Sequence, residues 1–204
     1  MRKLNFYLLI IILVFTLLAS CQNNDPIEPP DEFGLNYNDL LSELNFARTN
    51  PKEYVKLIEA LLPSYNGSEG KVAIEEAIAS LKSQQSIPPL SLNDGINKAA
   101  KYHCNDQGKT GEIGHYGSKG ETPATRMYMY GTYNAAGENI YYGPNIEIRK
   151  MIIAFIIDDG VSDRGHRINI YNPIWTDVGF GWGKHPSKYG MMCVIDFAKD
   201  YKIK

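Results

Sequence analysis

The chain has 204 residues and a formal net charge of −2, with 44% of its side chains hydrophobic. That length and apolar content suit one domain with a real core. No basic run and no interleaving of aromatic with basic residues occurs, which excludes nucleic acid as a partner class.

Arg2 and Lys3 precede an almost wholly apolar run over residues 6–18, and Leu18-Ala19-Ser20-Cys21 closes it with small residues before a cysteine. The run is short for a membrane span, which needs about 20 apolar residues. It reads instead as a secretory signal over residues 1–20. Its last four residues resemble the lipobox of bacterial lipoproteins, which implies cleavage before Cys21 and acylation of that residue. An uncleaved anchor helix is the alternative. Either way the rest of the chain works outside the cytoplasm, held to a bacterial membrane, with the outer membrane or cell surface as the expected location. Residues 21–35 form an acidic tether containing Pro26, Pro29 and Pro30, with little to bury. Residues 36–204 are left as the single domain. Loss of the first twenty residues removes two cations and no acid, so the formal charge becomes 19 − 23 = −4.

Leu40, Leu41, Leu44 and Ala47 share one helical face over residues 38–47. Asn50-Pro51 then reads as an N-cap with proline at N1, opening a helix through Tyr54, Leu57, Ile58 and Leu61. A loop follows over residues 62–70. Ile74, Ala77, Ile78 and Leu81 predict a further helix over residues 72–82. Pro88-Pro89 breaks the chain, and Ile96, Ala99, Ala100 and His103 suggest the next helix, with His103 a core residue. Residues 108–120 are glycine-rich and irregular, and they hold His115. Thr122-Pro123 starts a short helix through Met127 and Tyr130. Residues 139–142 read as a strand and residues 146–157 as a largely buried helix. Val178, Phe180 and Trp182 alternate, as do Met191, Cys193, Ile195 and Phe197; a hairpin loop over residues 185–188 joins the two strands and exposes His185. Helices precede strands without a βαβ rhythm, so the fold class is α+β.

Chemistry concentrates in three islands. Residues 158–167 bring carboxylates, His166, Arg164 and Arg167 together straight after the apolar run 151–157. Gly114-His115-Tyr116-Gly117 and Ala136-Gly137-Glu138-Asn139-Ile140 are the others. Two imidazoles and two or three carboxylates on separate elements are what a divalent-metal or acid/base cleft requires.

These residues also resemble a known family. Residues 114–120 with Thr122-Pro123 and Arg126 are similar to the histidine-loop region of the CAP (SCP) superfamily of cysteine-rich secretory, venom-antigen and pathogenesis-related proteins. Gly137-Glu138-Asn139-Ile140 looks like its GEN-I motif. Gly165-His166-Arg167, Asn169-Ile170, Asn172-Pro173 and Val178-Gly179-Phe180-Gly181 look like the bacterial form of its second histidine motif. The resemblance spans residues 38–197. It implies an α-β-α sandwich, with a three- or four-stranded antiparallel sheet between helical layers. It also implies a cleft tetrad in which His115, Glu138 and His166 carry over directly. Phe155 stands where the family has tryptophan, and Asp158 where it has the second glutamate; Asp159 competes for that role.

The sharp reading is a divalent metal, zinc by donor type, at the His115, His166, Glu138 and Asp158 tetrad, with the two histidines as ligands and Glu138 orienting the site or holding a water. The alternative is a buried hydrogen-bonded network of the same groups. A hydrolase would use Glu138 as general base with His166, whereas the resemblance implies mostly binding and signalling modules. A binder of lipid, sterol or an envelope or host glycan is therefore expected, with a protein-interaction module as a third possibility. Arg164 and Arg167 either pair with Asp158, Asp159 or Asp163 or dock an anionic ligand group. Tyr128, Tyr130, Tyr133, Tyr141 and Tyr142 either line a groove for lipid or glycan, with Tyr141 taken as a ligand-binding candidate, or seal a core edge. Cys104 and Cys193 are either a disulfide, which an exported compartment permits, or two buried thiols.

Overall fold

A computed structural model describes residues 31–144 and 147–204. The signal, Cys21 and most of the tether lie outside the described residues. Among those described, no helix is long and apolar enough to cross a membrane.

α1 (Tyr37–Thr49) starts at Asn36, whose side chain accepts from the Asp39 N–H at 2.8 Å. α2 (Pro51–Leu61) opens on the expected proline, although Asn50 gives no side-chain cap. α3 (Val72–Ser83) follows. β1 (Ser91–Leu92) leads into α4 (Asp94–Thr110), capped by Asn93 and closed by Gly111 at φ 74°, a left-handed position that suits glycine. α5 (Pro123–Tyr130) begins with a reciprocal capping box between Thr122 and Thr125. β2 (Gly131–Thr132), β3 (Ala135–Gly143), α6 (Ile148–Ile157) and the short α7 (Gly165–Ile170) come next. β4 (Asp177–His185), β5 (Gly190–Lys199) and β6 (Lys202–Ile203) complete the chain.

The main sheet has the order β1-β4-β5-β3. β3, β5 and β4 pair antiparallel as expected, while β1 runs parallel to β4, so the sheet is mixed at one edge. β2 and β6 form a separate antiparallel pair. One face of β4 and β5 sends Val178, Phe180, Met191, Cys193, Ile195 and Phe197 into the core shared with α1, α2, α3 and α6. The other face sends Met192 and Val194 against Ala100 and Cys104 of α4, and Ala198 against Ile96, Ala99 and Met127. The result is the α-β-α sandwich of an α+β domain. β4 shows why α4 lies so close. A Cβ at Gly179 would fall 2.4 Å from the Asn97 nitrogen, and one at Gly181 would fall 2.4 Å from the Ala100 carbonyl carbon. Helix backbone rests directly on strand backbone there.

Two expectations need correction, and one open alternative is decided. The fold reaches back to Asp31 rather than beginning at residue 36. Leu35 is buried in the core with Phe33 beside it, and the Asp31 carboxylate accepts from the Phe33 and Leu35 N–H groups and the Trp182 indole. His185 is 2% exposed, not a surface loop residue. It ends β4, and its Nε2 meets the Glu112 carbonyl at 2.8 Å because the loop after α4 folds over it. Cys104 and Cys193 are free thiols. They pack into cores on opposite faces of the sheet, which keeps them from pairing.

Candidate functional site

β3 is the edge strand on which the site is assembled, and its Gly-Glu-Asn-Ile run divides the work. A Cβ at Gly137 would meet the Trp175 ring at 2.9 Å and the Asn169 side-chain oxygen at 3.1 Å, so glycine lets that loop close on the strand. Glu138 turns toward α5. Its Oε1 accepts from His115 Nδ1 at 2.7 Å, and its Oε2 accepts from the Arg126 guanidinium. Arg126 is fully buried and also donates to the carbonyls of His115 at 2.9 Å and Glu121 at 3.0 Å. One cation thus fixes both the carboxylate and the backbone of the histidine loop. Buried charges demand such a partner.

The next residue along β3 holds the second histidine. Asn139 donates to the His166 carbonyl at 3.1 Å and accepts from Asn169 at 2.9 Å, while Asn169 also donates to the Glu138 carbonyl. His166 Nδ1 meets Asp158 Oδ1 at 2.6 Å, and Asp158 Oδ2 accepts from the His166 N–H at 2.9 Å. Asp158 caps α6 in a left-handed conformation, φ 57°, which aspartate tolerates better than most residues. Phe155, one turn earlier, packs its ring 5.0 Å from the His166 ring, and Tyr141 meets Phe155 edge-on. The choice between the two aspartates is clear. Asp159 faces away, accepting from Ser68 and from the Glu69 N–H at 3.0 Å.

An ionised carboxylate only accepts, so both imidazoles carry their proton on Nδ1 and leave Nε2 bare when neutral. Neither Nε2 has a hydrogen-bond partner among the described residues. The His115 side chain is 51% exposed and that of His166 22%. Glu138 and Asp158 lie on the Nδ1 edges of the rings. Among the described residues no three His, Cys, Asp or Glu side chains converge as a cation cage.

Beneath Glu138 is a group that sequence reading missed. Asp196 sits directly across on β5, wholly buried, and no donor reaches either carboxyl oxygen; its hydrogen-bond neighbour is the Glu138 carboxylate. Burial first, then the neighbouring Glu138 charge, pushes its carboxyl well above the usual range. His103 shares this side of the sheet; Nε2 meets the Gly114 carbonyl at 2.9 Å, Nδ1 is buried without a partner, and burial pushes its pKa down. Gln107 and Tyr142 complete the support of the loop, since Gln107 donates to the Gly114 carbonyl at 2.7 Å and the Tyr142 hydroxyl accepts from the Gly114 N–H at 2.9 Å.

The two arginines are structural. Arg164 forks onto Glu69 at 2.7 Å and also meets Glu76 at 2.7 Å, not the nearby aspartates, and it holds the Asp158 carbonyl at 2.8 Å. In return the Glu69 carboxyl is pulled down to about 2. Arg167 is 7% exposed and donates to the Ile157 carbonyl, so neither guanidinium presents itself to an anion. The tyrosines do not form one groove. Tyr133 stacks on Tyr201, Tyr128 lies under the Lys204 ammonium, and Tyr142 belongs to the loop network. An apolar groove of about 610 Å³ does exist elsewhere, between α2 and α6, lined by Leu57, Leu61, Tyr65, Ile153 and Ile157, with Lys150 and Asp159 among its polar residues.

Residues 41–197 match the cysteine-rich secretory protein (CAP) family. The chain belongs to the CAP family. It is similar to the uncharacterized protein YkwD of Bacillus subtilis (strain 168), 26% identical over 102 residues. That match covers 50% of this chain but only 37% of YkwD, so the CAP-family chain spans well under half of that relative. The fold is similar to an outer surface protein from Borrelia burgdorferi, with a TM-score of 0.50 and 18% identity over 81% of this chain and 96% of that one. An extracellular SCP-domain protein from Bacillus anthracis str. Ames gives a TM-score of 0.46 and 19% identity over 66% of this chain and 40% of its own. Arg126 carries a usable sequence signal: it is the one basic residue on α5, and a buried glutamate needs a cation.

Proposed function

We propose that this CAP domain is an exported, membrane-tethered binding module whose cleft takes a divalent cation, zinc by donor type, on Nε2 of His115 and His166. The observation that carries the reading is the matched pair of rings, each with Nδ1 locked on a buried carboxylate and Nε2 left open. Carboxylates in that position fix ring orientation and raise ligand basicity. A cation held there would offer open coordination positions to a polar group of the ligand.

The ligand class that fits is an amphiphile such as a fatty acid or sterol, in preference to a glycan or protein at this cleft. Ile157 and Asp159, the neighbours of Asp158 on either side, line the apolar α2–α6 groove. Its volume, about 610 Å³, lies within the roughly 300–1,000 Å³ of small-molecule sites. Hydrolysis with Glu138 as base fits less well, because both its oxygens are engaged and its side chain is 1% exposed. Export and lipidation at Cys21 rest on the residue 1–21 pattern, with support for export from the likeness to an outer surface protein.

Calorimetric titration of zinc into the protein and into a His115→Ala/His166→Ala double variant tests the metal reading. Binding in the parent that disappears in a folded double variant is expected. Equal binding in both, or none in either, overturns it.

A further inference from the structure

Two loops meet between the apolar groove and the second histidine, and each supplies a carboxylate to the other's backbone. Asp159 accepts from the Ser68 N–H at 2.5 Å, the Ser68 hydroxyl at 2.8 Å and the Glu69 N–H at 3.0 Å. Glu69, on the loop joining α2 to α3, accepts in return from the Gly160 N–H at 2.6 Å and from the Arg164 fork at 2.7 Å. Arg164 also donates to Glu76 of α3, so the tie is a clasp across three elements.

Residues 158–164 are cross-tied into one unit. The Val161 N–H donates to the Asp158 carbonyl at 3.2 Å and the Arg164 N–H to the Val161 carbonyl at 3.0 Å. The Arg164 guanidinium reaches the same two carbonyls at 2.8 and 3.0 Å. Asp158 and Asp159 are consecutive, so their Cα atoms stay about 3.8 Å apart. Asp159 lines the α2–α6 groove beside Tyr65, while Asp158 holds both Nδ1 and the backbone N–H of His166. One dipeptide is thus part of the wall of one site and the support of the other.

We infer, building on the cation and amphiphile reading of these two sites, that the clasp couples them: an apolar chain in the α2–α6 groove tightens zinc at the cleft, and zinc tightens the chain. The groove already has the volume of a small-molecule site with the clasp closed. A chain packed against Tyr65 gains contacts in that state and loses them when the loops part. A ligand shifts an equilibrium toward the state it binds better. The clasped state is also the one in which Asp158 fixes the His166 Nδ1 proton and leaves Nε2 to the metal. Each ligand must then change the other's affinity by the same factor. Glu69 and Arg164 are positioning residues here, since neither lines the groove and both reach His166 through Asp158.

The probe is 1-decanol, whose hydroxyl carries no charge to capture zinc in solution. Methyl ¹H–¹³C spectra of Leu57, Leu61, Ile153 and Ile157 read groove occupancy, and long-range ¹H–¹⁵N spectra read the His166 ring. Calorimetry gives the zinc Kd with and without decanol. Decanol is expected to shift the groove methyls and the His166 ring nitrogens together, and to tighten zinc by about fivefold or more, the lower end of allosteric coupling. Glu69→Ala should keep the methyl shifts and lose the other two responses; Glu69→Gln, nearly isosteric, should lose part of both. Glu75→Ala removes an exposed charge from α3 outside the clasp and should keep all three. Methyl shifts without a His166 response, or a response that survives Glu69→Ala, overturn the inference and leave the groove reading standing. No methyl shift in the parent overturns both. Without zinc binding the metal reading falls, and the His166 ring response to decanol still decides the coupling.

Discussion

Asp196→Asn should stabilise this protein at alkaline pH. Asp196 is wholly buried opposite Glu138 with no donor to either oxygen, and burial, the Glu138 charge and a hydrogen bond to Glu138 hold its carboxyl well above its ordinary 3.8. Between that ordinary value and the raised folded one, the native state holds more protons than the unfolded chain. Stability therefore falls as pH rises through this window, and the deficit is complete above it. An unpartnered buried polar group costs about 1–3 kcal/mol, and more when charged. Asparagine is neutral throughout, nearly the same shape, and its amide can donate toward Glu138. The expected gain is about 1–3 kcal/mol at pH 8, shrinking toward nothing near pH 4. Urea unfolding at pH 4, 6 and 8 measures it: with a slope of about 1–3 kcal/mol/M, the pH 8 midpoint should rise by about 1 M at unchanged slope. A loss of stability at pH 8, or a gain that does not vary with pH, would refute the argument.

Other consequences are equally specific. Arg126→Met strips the cation from buried Glu138 and should destabilise by about 3–5 kcal/mol, read by calorimetric melting. Gly181→Ala places a Cβ 2.4 Å from α4 backbone and should cost about 1–3 kcal/mol or more. Gly183→Ala meets nothing nearer than Cys104 Cβ at 3.9 Å, so its melting temperature should stay close to that of the parent. Burial pushes the Cys193 thiol up to about 12 and the Cys104 thiol up as well. Neither should react with Ellman's reagent in the native protein, and both should react in denaturant.

Much of the fold was legible because its signals are local. Asn50-Pro51 and Thr122-Pro123 mark helix starts by the backbone geometry of proline, and the spacing of Leu40, Leu44 and Ala47 marks a buried face. The site was partly legible. Gly137-Glu138-Asn139 stands out as a polar run beside apolar residues, and residues 158–167 concentrate charge. What escaped depends on contacts distant in sequence. Arg164 finds Glu69 and Glu76 about ninety residues away, although Asp163 is adjacent. His185 looks like a loop residue until the segment after α4 covers it. Asp196 was overlooked because alternation drew notice to Met191, Cys193, Ile195 and Phe197. The opposite face of β5 is also buried, and a carboxylate among Met192 and Val194 was the available clue.

The most direct test of the two-imidazole cleft is long-range ¹H–¹⁵N spectroscopy of the histidine rings, with and without zinc. Neutral His115 and His166 should both carry the proton on Nδ1, and zinc should move both Nε2 resonances together at one equivalent while leaving His103 and His185 unchanged. Protonation on Nε2 in either ring, or Nε2 resonances that zinc does not move, would contradict the account.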